Sequence, residues 1–158
     1  MGFEEELKKV FKAGKIRKTL GDKIDIKYMR ALIHSLQWIS VGYSSALYFA
    51  GKKIGKEILS KDVKGNELKV VLKEIQSFFK DFGIGNIEIA EVGERTVLRL
   101  KECSTCFHME EVGKTICYFE SGLIAGILEG KLNKKVLVNE TLCGGLGDDV
   151  DEFVVKIG

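Results

Sequence analysis

Residues 135–157 read KVLVNETLCGGLGDDVDEFVVKI. Two short apolar runs, 135–142 and 151–157, alternate with a period of two residues, which is the signature of strands with one buried face. Between them Gly144, Gly145, Gly147, Asp148 and Asp149 supply turn chemistry. In the first run Val136, Val138 and Glu140 share a face. In the second run Asp151, Phe153, Val155 and Ile157 do. If the valines and the phenylalanine point inward, Glu140 and Asp151 point inward with them. A carboxylate there is costly unless it is paired, hydrogen-bonded or bound to a metal.

Upstream, residues 117–130 (CYFESGLIAGILEG) read as a helix closed by Gly130 as C-cap. Before it, 87–89 and 96–100 alternate at strand period around a turn at Gly93-Glu94, which predicts an antiparallel hairpin. Residues 66–82 place Leu68, Val71, Leu72, Ile75, Phe78, Phe79 and Phe82 at helical spacing. Residues 27–37 and 40–59 read as two further helices broken near Gly42, and 3–13 as a short amphipathic one. Helices followed by a largely antiparallel sheet make an α+β fold, the sheet packed with helices. No linker interrupts the 158 residues, so we expect one domain over 1–158, with 1–20 as a helical arm.

Composition narrows the function. With 25 basic and 23 acidic side chains the net charge is +2, too neutral for a dedicated nucleic-acid binder. The charge is uneven: residues 1–60 carry 12 basic against 6 acidic groups, residues 61–158 carry 13 against 17. Residues 31–51 hold no Asp, Glu, Lys or Arg, yet His34, Gln37 and several serines make them too polar for a lipid-facing helix. We expect buried helical core there, with no membrane span. Four cysteines without an export signal point to a reducing, cytoplasmic setting, where thiols stay free or hold metal.

Two features carry chemistry. Cys117 opens a helix, and Cys143 follows Glu140 by three residues where the strand gives way to glycine. Cys117, Glu140, Cys143 and Asp151 are therefore a convergent set of two sulfurs and two carboxylates, which zinc accepts in tetrahedral geometry. The same residues would also fit two buried free cysteines and two solvated strand-end acids. Cys103-Ser104-Thr105-Cys106 is a rival set, but no second C-x2-C or H-x3-H completes it, which favours packing or pocket lining for this pair. Finally, Gly51-x3-Gly55 and Gly122-x3-Gly126 each follow an aromatic pair. Glycine costs a helix roughly 1 kcal/mol against alanine, so both pairs mark places where another backbone comes close. The glycine-rich turns lead into strands and lack the lysine and helix N-terminus of a phosphate loop.

Cys117-x4-Gly122-x3-Gly126, then 136–143 (VLVNETLC) and 145–153 (GLGDDVDEF), together resemble the 4-vinyl reductase domain family. The likeness is tightest over residues 95–158. It implies the ligand-binding fold shared with nitric-oxide-signalling and Golgi-transport proteins, and a module that binds aromatic or other hydrophobic small molecules. In phenol-sensing members a zinc is held by Cys, Glu, Cys and Cys; Cys117, Glu140 and Cys143 match, and Asp151 replaces the last cysteine. The resemblance thus implies a structural zinc on Cys117, Glu140, Cys143 and Asp151. Tyr118 and Phe119 beside the first ligand, then Phe107 and Trp38, are the candidate pocket lining. A homodimer is expected, without nucleic acid or membrane. Two alternatives remain: a tetrapyrrole 4-vinyl reductase or a subunit of one, for which no dinucleotide fingerprint is present, and a dimeric scaffold whose pocket is filled by side chains.

Overall fold

One helix organises the molecule. In α5 (Tyr118–Leu132) every residue from Glu120 to Leu128 is buried. A helix with no polar face must be covered on all sides. One side of α5 lies on the sheet, and α3 (Tyr43–Glu57) covers another. The computed structural model describes residues 2–11, 17–39 and 41–158, without the side chains of Gln37 and Trp38. The expectation for Trp38 as pocket lining therefore falls outside the described residues.

Four antiparallel strands form the sheet: β1 (Asn86–Glu91), β2 (Thr96–Lys101), β3 (Val136–Leu142) and β4 (Asp151–Ile157), in the order β1-β2-β4-β3. This is the predicted α+β architecture. Leu98 pairs with Phe153, and both side chains are fully buried. The opposite face is polar, carrying the Arg99–Glu152 and Lys101–Glu88 ion pairs at 3.2 and 2.9 Å. Exposed pairs of this kind add little stability, so the sheet is held by its helical side. On that side α4 (Leu68–Asp81) presents Val71, Leu72, Ile75 and Phe79, all buried, at the spacing read from the sequence.

The two glycine pairs face each other. A Cβ on Gly122 would lie 2.1 Å from the Tyr48 carbonyl oxygen, and one on Gly126 would lie 2.1 Å from that of Lys52. Reciprocally, Gly51 and Gly55 meet the carbonyls of Phe119 and Leu123 at 2.3 and 2.6 Å. Helices α3 and α5 thus touch backbone to backbone. A half-buried Lys52–Glu129 ion pair of 2.6 Å and a Lys52 hydrogen bond to the Val136 carbonyl tie both helices to β3.

Two expectations need correction. Helix α5 does not stop at Gly130. It runs to Leu132 and closes on Asn133, in left-handed conformation at φ 52°, whose N–H bonds the Glu129 carbonyl. Gly130 is needed for space instead: a Cβ there would strike the Ser60 hydroxyl. Nor are residues 31–51 core. They form the end of α2 (Ile26–Ile39) and the start of α3, and of those described Gly51 alone is buried. Leu32, Ile39 and Phe49 are 57, 79 and 64% exposed, because nothing packs on their outer side in this chain. Among the described residues no helix is long and apolar enough to cross a membrane.

The arm is short. Helix α1 (Phe3–Phe11) buries no residue, but it docks through Lys53 over the Phe3 ring and Phe11 edge-on to Phe82.

Candidate functional site

The sheet ends at a cluster of thiols and carboxylates. Cys117 is the N-cap of α5, and Cys143 leaves β3 for the single turn Gly144–Leu146. Asp151 opens β4 opposite Leu100, and Glu140 sits opposite Phe153 just before a bulge in β3. That bulge shifts the register after Glu140, so β3 turns as it approaches Cys143. The ligand atoms of Cys117, Glu140, Cys143 and Asp151 all lie within 4.8 Å of one another. Glu140 Oε2 accepts the Cys117 N–H at 3.0 Å, whereas its Oε1 is buried with no hydrogen-bond partner among the described residues. The Cys143 sulfur accepts the Gly145 N–H at 3.3 Å, and Asp151 Oδ1 accepts the Gly144 N–H at 3.1 Å.

The C-x2-C pair joins the same cluster, which the sequence did not disclose. Cys103, Cys106, Cys117 and Asp151 also bring their ligand atoms within 4.8 Å of one another. Cys117 Sγ is 3.5 Å from both Cys103 Sγ and Cys106 Sγ, and the Cys106 thiol donates to Asp151 Oδ1 at 3.0 Å. The two sets treated as rivals therefore overlap at Cys117 and Asp151. The spacing of Cys103 and Cys106 was visible; what completes it comes from distant elements.

Electrostatics set this pocket apart from the rest of the core. Among the described residues no salt bridge reaches Glu120, Glu140 or Asp151. Burial, then the Cys143 sulfur, pushes Glu140 up to about 10. Burial, then Cys103, pushes Asp151 up to about 8. Glu120, wholly buried one turn into α5, is raised to about 8 by burial and then by Cys103, although the Thr105 hydroxyl donates to it. The thiols divide. Cys103 and Cys143 are held low, first by hydrogen bonds from Cys106, while Cys106 and Cys117 are driven up, first by Cys103. Such a site resists carrying its full negative charge, and a divalent cation reverses that preference. Donor types, burial and spacing give this cluster the geometry to hold a metal ion.

Two cavities flank it. A groove of about 420 Å³ runs between the start of α3, the N-terminus of α5 and β3, lined by Tyr48, Phe49, Tyr118, Leu137 and Glu140 among others. Tyr118 meets Tyr43 edge-on at 5.9 Å. A smaller cavity of about 130 Å³ lies against Cys103, Cys106 and Asp151, with Phe107 on its wall. Phe119 lines neither; it packs partly buried against the core.

Helices on one face of a four-stranded antiparallel sheet, with a ligand cluster at the sheet end, define an α+β ligand-binding module. The 4-vinyl reductase domain profile matches residues 96–157. An uncharacterized Methanocaldococcus jannaschii protein, MJ0150, is 39% identical over 141 residues, covering 89% of this chain and 80% of its own. The chain belongs to the 4-vinyl reductase domain family. Among solved structures, a vinyl-4-reductase family protein from Methanocaldococcus jannaschii superimposes with a TM-score of 0.64 at 24% identity, covering 88% of this chain and 85% of that one. The phenol-responsive sensory domain of the transcription activator PoxR, solved with phenol, gives 0.67 at 13%, covering 85% and 75%. The fold extends to an H-NOX protein from S. oneidensis (0.62, 13%, covering 98% and 88%) and to a trafficking protein particle complex subunit 3 from Naegleria fowleri (0.55, 21%, covering 87% and 84%).

Proposed function

We propose that this chain is a small-molecule-binding domain in which a zinc ion on Cys117, Glu140, Cys143 and Asp151 holds the wall of a ligand groove. The observation that carries the reading is Glu140. Its carboxylate belongs to the convergent donor set and also lines the groove, with one oxygen lacking a partner. A metal at the cluster satisfies that oxygen and locks the end of β3 against the N-terminus of α5.

The groove suits an aromatic ligand bearing a hydroxyl. The rings of Tyr48, Phe49 and Tyr118 offer apolar and edge contacts, while Ser44, Ser45 and Thr115 offer hydrogen bonds. Phenol bound to the PoxR sensory domain supports the same class of ligand on this fold. The exposed apolar side chains Leu32, Ile39 and Phe49 support a homodimer through α2 and α3.

Native mass spectrometry of the purified full chain tests all three parts together. The expected spectrum is a dimer with bound zinc that takes up phenol, with uptake weakened at least tenfold in Tyr118→Ala. A zinc-free protein would overturn the metal reading. Unchanged phenol uptake in the variant would overturn the groove.

A further inference from the structure

Six donors surround the cluster, more than one tetrahedral ion uses. They fall into two sets of four. Cys117, Glu140, Cys143 and Asp151 make one, and Cys103, Cys106, Cys117 and Asp151 make the other. We infer that the cluster is a dinuclear site, in which a second divalent ion sits on Cys103 and Cys106, and the Cys117 thiolate and Asp151 carboxylate bridge the two ions. The inference rests on the zinc reading proposed above and adds an ion to it.

The distances fit. Zinc–sulfur bonds of about 2.3 Å place two thiolates of one tetrahedron about 3.8 Å apart. Cys117 Sγ stands 3.5 Å from both Cys103 Sγ and Cys106 Sγ without rearrangement. Asp151 presents one oxygen to each neighbour: Oδ1 lies 3.0 Å from Cys106 Sγ, and Oδ2 lies 3.6 Å from Cys117 Sγ. A carboxylate with its two oxygens so directed can span ions about 3.5–4 Å apart.

The surroundings are built for close approach of the C-x2-C loop. A Cβ on Gly144 would lie 2.7 Å from the Cys106 carbonyl oxygen and 3.2 Å from its sulfur, so glycine at 144 admits Cys106 to the cluster. The loop is pinned from the other side by the Ser104 N–H on the Ile84 carbonyl at 2.8 Å, and by Arg30 on the Ser104 carbonyl at 2.8 Å. Plain packing accounts for buried thiols but not for the buried Asp151 among them, since a carboxylate is a poor filler of an apolar core. The Cys103–Cys106 half is richer in sulfur than the Glu140–Cys143 half and therefore takes the softer ion when two metals compete.

Metal content and 113Cd NMR of the full-length protein test this. Elemental analysis after zinc loading and desalting should find two ions per chain. Cys103→Ser/Cys106→Ser should lower this to one, and Glu140→Gln/Cys143→Ser should also leave one. Cadmium-loaded wild type should show two resonances coupled to each other through the shared Cys117 sulfur, a readout that does not depend on the variants folding. One ion per chain and a single resonance would overturn the second site. If that one ion persists in Cys103→Ser/Cys106→Ser and is lost in Cys143→Ser, the zinc reading above still stands. An absence of bound metal in wild type would sink both.

Discussion

Gly126→Ala tests the contact that positions the metal cluster. The added Cβ would lie 2.1 Å from the Lys52 carbonyl oxygen and 2.8 Å from the Lys56 nitrogen. Real Cβ contacts essentially never fall below 3.0 Å, and both obstacles are backbone, so no side-chain rotation relieves them. Helix α3 must move away from α5 by about 1 Å, an overpacking cost of roughly 1–3 kcal/mol. The helix itself gains from alanine, by roughly 1 kcal/mol. Where the clash is with backbone the upper part of the overpacking range applies, so we expect a net loss of about 1–2 kcal/mol. Gly93→Ala is the control: it lies in the β1–β2 turn with nothing within 4 Å of an added Cβ, and should be within about 0.5 kcal/mol of wild type. Urea denaturation followed by circular dichroism measures both. Because Cys117 caps α5, the shift should also weaken zinc binding. A Gly126→Ala protein as stable as Gly93→Ala would refute the backbone contact between the helices.

Two other perturbations address the cluster. Glu120 has a folded value of about 8 against an ordinary 4.5, so the folded state holds the proton through that window. Its contribution is fully present below about pH 4.5 and is lost as pH rises through about 8, at up to about 1.4 kcal/mol per pH unit. In chelator-treated protein, Glu120→Gln should therefore gain stability relative to wild type as pH rises from 5 to 8; parallel melting curves would contradict the burial argument. Chelation itself should lower the Tm of wild type by about 5–10 °C relative to protein with free zinc at about 100 times Kd. Cys143→Ala, already without the site, should show no such difference between chelator and zinc, as scanning calorimetry can establish.

Local pattern made much of this protein legible. The alternation in 136–142 and 151–157 located both strands and turned Glu140 and Asp151 toward the helices, because period-two geometry is a property of the backbone alone. Glycines at 51, 55, 122 and 126 announced a close approach, though not that the two pairs would meet each other. Residues 31–51 misled. A run without charge predicts burial only if a partner is present, and in this chain the outer sides of α2 and α3 have none.

Sequence by itself determined the element types, the sheet-forming half and the family resemblance, since these depend on the order of side chains along one segment. Tertiary structure decided the membership of the cluster. Cys103 and Cys106 reach Cys117 and Asp151 only because the loop after β2 folds over the ends of β2 and β4, where Leu100 pairs with Asp151. No spacing rule encodes that meeting: it is fixed by strand order and by how closely α5 approaches the sheet, both of which arise from contacts distant in the chain.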